Sequence, residues 1–141
     1  MRLAALADAP RAFLGDLEQE SQLVEDDWRK TFDLASWHGH FVAADIVGIA
    51  RSSILPQYPQ ERYLESFWIR PAQRHLHVAR MIMASVVSEA RSEGRGFIRL
   101  SVLRENQAIL KTLRHLGFSS VVADPDRTTD LEYCLEFPIA Q

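Results

Sequence analysis

Positions 68–80 lead from a predicted strand into a predicted helix, with the sequence W-I-R-P-A-Q-R-H-L-H-V-A-R. The first turn of a helix has backbone N–H groups without partners in the helix, and it carries partial positive charge. Arg74 and Arg80 add full positive charges beside that turn. The combination is typical of a site for phosphate or pyrophosphate. From the loop alone, the alternative is an ordinary strand-to-helix link with surface arginines.

A carboxylate that could handle a proton lies just before this run, because Glu65 is on the same predicted strand as Trp68 and Ile69. Such a group can accept a proton from an attacking amine, directly or through water. The alternative is that Glu65 is a solvated residue on a half-exposed strand.

Two histidine pairs invite a metal interpretation, since His38-x-His40 and His75-x-His77 each repeat an imidazole two positions apart. Zinc requires at least three protein ligands, and the sequence offers no evident third one. We therefore predict no metal site.

The composition restricts the class of protein and of partner. A chain of 141 residues can form one core but is too short for two ordinary domains, so we expect a single domain over 1–141. The net charge is −3 and no basic stripe is present, which argues against nucleic acid as a partner. The single cysteine, Cys134, excludes an internal disulfide and favours a cytoplasmic location. No segment has the apolar length of a membrane span or a secretory signal.

The elements that must position these residues are indicated by the hydrophobic periodicity. Residues 11–33 suggest one or two amphipathic helices, and residues 38–44 and 46–50 suggest a hairpin interrupted at Asp45. Residues 63–69 read as a strand that Pro71 stops. A helical period follows from His77 until Gly94 ends it.

The second half repeats the order of strand, helix and glycine stop. Residues 97–103 predict a strand, and Asn106 offers an N-cap for a helix that Gly117 closes. The tail predicts a hairpin, in which residues 131–137 alternate between an apolar face and a wet face that carries Cys134. The fold class is therefore α/β, with one mixed sheet and helices on its faces.

Four stretches together resemble the GNAT acetyltransferase superfamily, over about residues 3–137. Residues 6–13 and Trp28 resemble its first helix, the following loop and its second helix. Residues 64–71 resemble its fourth strand and the proline after it. Residues 74–79 resemble the Q/R-x-x-G-x-G/A coenzyme A loop, with matches at Arg74 and Ala79. Residues 103–106 and 116–118 resemble the exit of the fifth strand, with its pantetheine-contacting asparagine, and the closing "GF".

The resemblance implies a mostly antiparallel central sheet with a splayed strand pair, residues 63–69 and 97–103, between which the pantetheine arm of acetyl-CoA inserts. It implies transfer of an acetyl group to a primary amine of a small molecule or peptide, by direct attack. The Ile69 N–H would polarise the thioester carbonyl, and Glu65 would act as the base. The coenzyme-binding residues it implies are Trp68, Ile69, Arg74, His75, Leu76, His77, Val78, Ala79, Arg80 and Asn106.

Three departures from the family pattern define the alternatives. His77 stands where the family usually has its first loop glycine, so it either occludes the pyrophosphate or donates a hydrogen bond to it. Leu113 stands where many members have the tyrosine that protonates the departing thiolate, and Tyr133 or Tyr63 would have to substitute. The family's first strand is expected to be missing, and an uncovered sheet edge would favour a homodimer.

These departures support two rival classes of function. One is a catalytically degenerate GNAT-fold module that binds coenzyme A or another protein. The other is a structural subunit that binds no coenzyme.

Overall fold

The computed structural model describes residues 21–140, apart from the side chains at positions 31, 32 and 76. Six strands form one sheet in the order β1-β2-β3-β4-β6-β5. Every neighbouring pair is antiparallel except β3 and β4, which are parallel. The predicted mixed sheet with flanking helices is confirmed. The strands and helices are β1 (Ser36–Val42), β2 (Asp45–Ser53), β3 (Glu61–Ile69), β4 (Phe97–Leu103), β5 (Ser119–Val121), β6 (Glu132–Pro138), α1 (Glu25–Asp33), α2 (Leu76–Ser92) and α3 (Gln107–Leu116).

The main core lies between α2, α3 and one face of the sheet. Side chains from both helices pack with alternate residues of β4, because the strand period of two directs every second side chain to the same face. The residues of this core that are less than 2% exposed include Leu64, Val78, Ile82, Val86, Ile98, Leu110, Leu113 and Leu135.

Both predicted ends of α3 are confirmed. The side-chain oxygen of Asn106 accepts a hydrogen bond from the Ile109 N–H at 3.3 Å, which is an N-cap. Gly117 has φ of 109°, a left-handed conformation that ends the helix and that a side chain would strain.

The first hairpin turns at a different place from the prediction. Its turn is Ala43–Ala44, and Asp45 already pairs with Val42 in the ladder. Ala43 adopts φ of 53°, which residues other than glycine seldom take. The alanines carried no turn signal, so the prediction of a break at Asp45 was wrong by one position.

Strand β3 begins two residues before the predicted start at Tyr63. Glu61 and Arg62 open it, and they are only 2% and 3% exposed. Arg62 donates hydrogen bonds to Glu93 at 2.6 and 2.7 Å, and Glu61 receives one from Arg127. Charged residues are seldom buried unless they are paired. Glu61 and Arg62 therefore did not fit the apolar pattern from which the strand was predicted.

The predicted tail hairpin is present, because β5 pairs antiparallel with β6. The expectation of one wet face on β6 was wrong. Cys134 is 3% exposed, whereas Leu131, expected on the apolar face, is 70% exposed and precedes the strand. Glu136 on the second face receives a hydrogen bond from Arg99.

Several predictions fall outside the described residues. They are the part of the one or two helices predicted over 11–33 that precedes residue 21, the family-like stretch at 6–13 and the missing first strand. Within residues 21–140 no helix is both long enough and apolar enough to cross a membrane. The single domain over 1–141 stays a prediction.

Candidate active site

A V-shaped gap opens in the sheet between β3 and β4. The two strands pair at only three positions, Glu61 with Phe97, Arg62 with Ile98 and Tyr63 with Arg99. Beyond that point β3 continues as residues 64–69 and β4 as residues 100–103 without pairing to each other. Backbone groups facing such a gap need partners from elsewhere. The V-shaped gap is therefore suited to an extended ligand arm that carries amide groups.

A β-bulge in β3 accompanies the divergence. Ile49 of β2 pairs with Trp68, but Arg51, two residues later, pairs with Glu65, which is three residues earlier. The extra residue lies at Ser66, whose φ of 54° is left-handed. Bulges bend a strand and increase its twist, so this one directs β3 away from β4. The bulge was not predictable from the sequence, because the residue in the left-handed conformation is a serine and not a glycine.

The start of α2 lies directly after the open end of β3. The Arg70 N–H donates to the Val47 carbonyl at 2.8 Å, and a short 3-10 turn, Pro71–Gln73, follows. His75 precedes the helix in an extended conformation and makes no side-chain cap. The N–H groups of the first turn thus receive no side-chain cap from His75, as an anion site requires.

Arg74 and Arg80, the predicted anion ligands, have different surroundings. The Arg74 Nε donates to the Ile69 carbonyl at 2.7 Å, so this side chain fastens the loop to the end of β3. Arg80 is exposed on the first turns of α2. Both residues are exposed, and the Arg74 Nε is the atom engaged with the loop.

The His77 ring lies toward the β1 side of α2. It is 6.2 Å from the His40 ring, edge to face, and 6.1 Å from the His75 ring, nearly parallel. His40 is on β1, two strands away from the V-shaped gap. The ring therefore lies away from the space between β3 and β4. The sequence singled out both histidine pairs but not this combination of three.

The fourth histidine of those pairs, His38, contacts Ser85 rather than its sequence neighbour His40. Among residues 21–140 no group of three or more His, Cys, Asp or Glu side chains could hold a metal ion.

Trp68, Ile69, Val78 and Ala79 are all buried, at 5%, 8%, 1% and 1% exposure. Their side chains form packing contacts, so a ligand would meet mainly their backbone. The side chain of Leu76 lies outside what the structure describes.

Glu65, the predicted base, forms a cross-strand ion pair with Arg51. Both side chains are partly exposed, Arg51 at 22% and Glu65 at 32%. Leu64, the preceding residue, points into the core between the sheet and α2. Glu65 therefore lies on the opposite face, where the bulge begins.

The two tyrosines proposed as acids lie on different sides of β4. Tyr133 of β6 pairs with Val102, and the Arg104 guanidinium lies 4.2 Å from its ring centroid. Tyr63 is the last β3 residue that pairs with β4. Leu113, at the family's tyrosine position, has no exposed surface and belongs to the core.

Asn106 has spare hydrogen-bonding capacity beside the end of β4. Its Oδ1 caps α3, and its Nδ2 group donates no hydrogen bond within the described part of the chain. A helix cap and a ligand contact are compatible in one amide side chain.

A buried charge cluster that sequence reasoning missed closes the narrow end of the V-shaped gap. Glu61 accepts hydrogen bonds from Arg127 and lies 3.3 Å from Arg99. Asp124 accepts from Tyr58 at 2.7 Å and from Arg127 at 3.2 Å. The hydrogen bond from Tyr58 holds the pKa of the Asp124 carboxyl below its usual value. The cluster fastens the loop at 122–131 to β3 and β4.

A mixed sheet whose one parallel pair splays beside an uncapped helix start defines a GNAT-type fold. The model of the Acetyltransferase (GNAT) family matches residues 3–118. The chain belongs to that family.

Solved structures share this fold. The yncA protein of Salmonella typhimurium was solved with its cofactor acetyl-CoA. It superposes with a TM-score of 0.70 at 14% sequence identity, and the alignment covers 99% of this chain and 86% of the yncA chain. A putative acetyltransferase of the GNAT family from Desulfovibrio desulfuricans has a TM-score of 0.73 at 16% identity, and the alignment covers 99% of this chain and 91% of that protein. Ribosomal-protein-alanine N-acetyltransferase from Brucella melitensis has a TM-score of 0.66 at 18% identity, and the alignment covers 96% of this chain and 91% of that enzyme. A search of curated proteins found no match.

Proposed function

We propose that this protein is an N-acetyltransferase that moves an acetyl group from acetyl-CoA to a primary amine of a small molecule or peptide. The observation that carries the proposal is the V-shaped gap, which opens beside the first turn of α2. Family membership supports acetyl transfer in general, and a relative of the same fold was solved with acetyl-CoA.

The residues present fit the coenzyme. The unpaired segments of β3 and β4 would accept the pantetheine amides as an added strand, and the Asn106 amide would contribute a donor. The segment 74–80, which leads into the first turn of α2, would hold the pyrophosphate through backbone N–H groups, with Arg80 adding charge. His77 would leave that place open, because its ring lies toward His40.

Glu65 would accept the proton of the attacking amine through water while the amine nitrogen bonds to the thioester carbon. The Ile69 N–H would donate to the carbonyl oxygen, whose negative charge grows as the bond forms. The carbon–sulfur bond then breaks, and the thiolate takes a proton from Tyr133 or from water. A thiol with an ordinary pKa of about 8.5 leaves as thiolate without a strong acid. No covalent enzyme intermediate is required.

A second candidate function is a catalytically degenerate module that binds coenzyme A or another protein. Leu113 favours it, because this side chain stands at the position of the family's acidic tyrosine, cannot donate a proton and is fully buried in the core.

The partners and location are part of the same proposal. An amine of a peptide is one acceptor class, by analogy with the alanine N-acetyltransferase of the same fold. Pairing of two copies along the outer edge of β1 would give a homodimer, since β1 pairs only with β2 among residues 21–140. A cytoplasmic location stays a prediction. Light scattering that shows a monomer would contradict the dimer.

The test is thiol release from acetyl-CoA across a panel of primary amines, with mass spectrometry of the products. The proposal predicts amine-dependent release and an acetylated product, and Glu65→Gln should lower kcat by about 10² to 10⁴. Binding of acetyl-CoA by calorimetry without release would favour the degenerate module. Absence of binding at millimolar acetyl-CoA would contradict both functions.

A further inference from the structure

The environment of Glu65 contains a feature that the sequence did not indicate. Arg51 stands directly opposite Glu65 in the β2–β3 ladder, and its Nη1 donates to the Glu65 Oε1. The second carboxylate oxygen, Oε2, makes no hydrogen bond to any part of the chain that the structure describes. One oxygen of the candidate base is therefore anchored, and the other is available.

The position of the pair relates it to the V-shaped gap. Glu65 lies two residues beyond the last β3 residue that pairs with β4, and it directly precedes the bulge at Ser66. It lies on the face of the sheet opposite α2. A bulge disrupts the local ladder and changes the direction of side chains beside it. An added ionic contact there restricts where the carboxylate can be.

We propose that Arg51 is a positioning residue for Glu65, an inference that rests on the proposed acetyl transfer. Its guanidinium holds Oε1 so that Oε2 is the oxygen that accepts the proton of the amine. Its positive charge also disfavours an ammonium ion at Glu65, so the acceptor is selected in the neutral form that can attack a thioester. Arg51 touches neither coenzyme nor acceptor in this role.

The alternative is a cross-strand ion pair that only supports the sheet. A single partly exposed ion pair of this kind contributes little to stability. A change in stability alone therefore cannot separate the two roles, and kinetic readouts are required.

The experiment compares Arg51→Gln, Arg51→Lys, Glu65→Gln and the double variant R51Q/E65Q in amine-dependent thiol release. A matched control is Arg29→Gln, which breaks an exposed i,i+4 ion pair with Glu25 on α1. For R51Q we expect kcat to fall about tenfold with unchanged acetyl-CoA affinity, and the lysine variant to recover most of that loss. R29Q should match the wild type.

The double variant decides whether Arg51 acts through Glu65. If it does, R51Q/E65Q is no slower than E65Q, because the group that Arg51 positions is gone. Losses that multiply would overturn the inference, as would an R51Q enzyme with the wild-type kcat. If wild-type protein binds acetyl-CoA but acetylates no amine, the proposed function itself fails, and this inference with it.

Discussion

His38 is a buried histidine whose protonation state bears on the stability of the folded protein. It is 8% exposed between β1 and α2, with its Nδ1 2.7 Å from the Ser85 Oγ and its Nε2 3.0 Å from the Glu89 Oε2. Burial lowers the pKa of His38, against the opposing attraction of Glu89, and the charge of Arg62 lowers it further. Ser52 from β2 contacts the same Nε2 at 3.3 Å. The fold therefore favours neutral His38.

The first prediction is acid destabilisation through His38. An unfolded histidine takes up its proton near pH 6.5, whereas the folded one does so at lower pH. Stability that is fully present above about pH 6.5 is thus lost as the pH falls through that value toward the lowered pKa. Denaturant unfolding at pH 8 to 5 should show this slope in the wild type and a flatter one in His38→Gln.

His115→Gln is the matched control, because His115 is exposed on α3. It should keep the wild-type slope. A His38→Gln protein with an unchanged pH dependence would contradict the assignment.

The second prediction concerns Leu113, where the family often has tyrosine. Its side chain is fully buried in the core. Leu113→Tyr would overfill the core, so we expect a loss of about 1 to 3 kcal/mol in stability and no gain in kcat. Leu113→Met, which nearly conserves volume, should cost less. Thermal unfolding and thiol release measure both effects, and a faster, equally stable Leu113→Tyr enzyme would place this position in the active site.

At the scale of elements, the placement of α2 against the sheet depends on Gly48 of β2. A Cβ at this position would lie 2.7 Å from Ile82 Cδ1 and 3.3 Å from Ile69 Cγ1. The absence of a side chain lets α2 and the end of β3 approach β2 closely. The start of α2 and the open end of the V-shaped gap are held by the same contact.

The third prediction follows from that contact. Gly48→Ala should destabilise the protein by about 1 to 3 kcal/mol and weaken acetyl-CoA binding, because Ile82 and Ile69 must move. Gly39→Ala is the control, since its nearest neighbour would be 3.7 Å away in ordinary van der Waals contact. Calorimetry and thermal unfolding measure the two effects. Equal behaviour of the two variants would show that the close approach at Gly48 is not required.

Elements with strong local signals were predictable from the sequence, and elements set by tertiary contacts were not. The N-cap Asn106 and the stop at Gly117 gave α3 correctly, because both act within a single helix turn. The start of β3 was missed since Glu61 is stabilised by Arg127, 66 residues later in the chain. The bulge at Ser66 likewise depends on register with β2.

The candidate site divides in the same way. The segment that runs from β3 into α2 was predicted from the residue pattern, the splayed strand pair was predicted from the family resemblance, and both are present. The direction of the His77 ring and the contact between Arg51 and Glu65 required three-dimensional information, because each depends on a residue from a different strand. Sequence spacing contains no signal for either contact.

At the scale of the whole molecule, the V-shaped gap has one closed and one open end. The buried Glu61 and its partly buried partners Arg99 and Arg127 fasten β3, β4 and the loop at 122–131 at the closed end. The bulge in β3 and the start of α2 lie at the open end. Contacts within the protein hold the strands at both ends of the gap, so coenzyme binding should require little rearrangement of the sheet.

The most direct test of this account is amide chemical-shift mapping of ¹⁵N-labelled protein during titration with acetyl-CoA. We expect the largest shifts at residues 64–69, 74–80 and 100–103, and small shifts in β5, which lies at the far edge of the sheet. Perturbations confined to other elements, or none at millimolar acetyl-CoA, would contradict the claim that the gap between β3 and β4 is the coenzyme site.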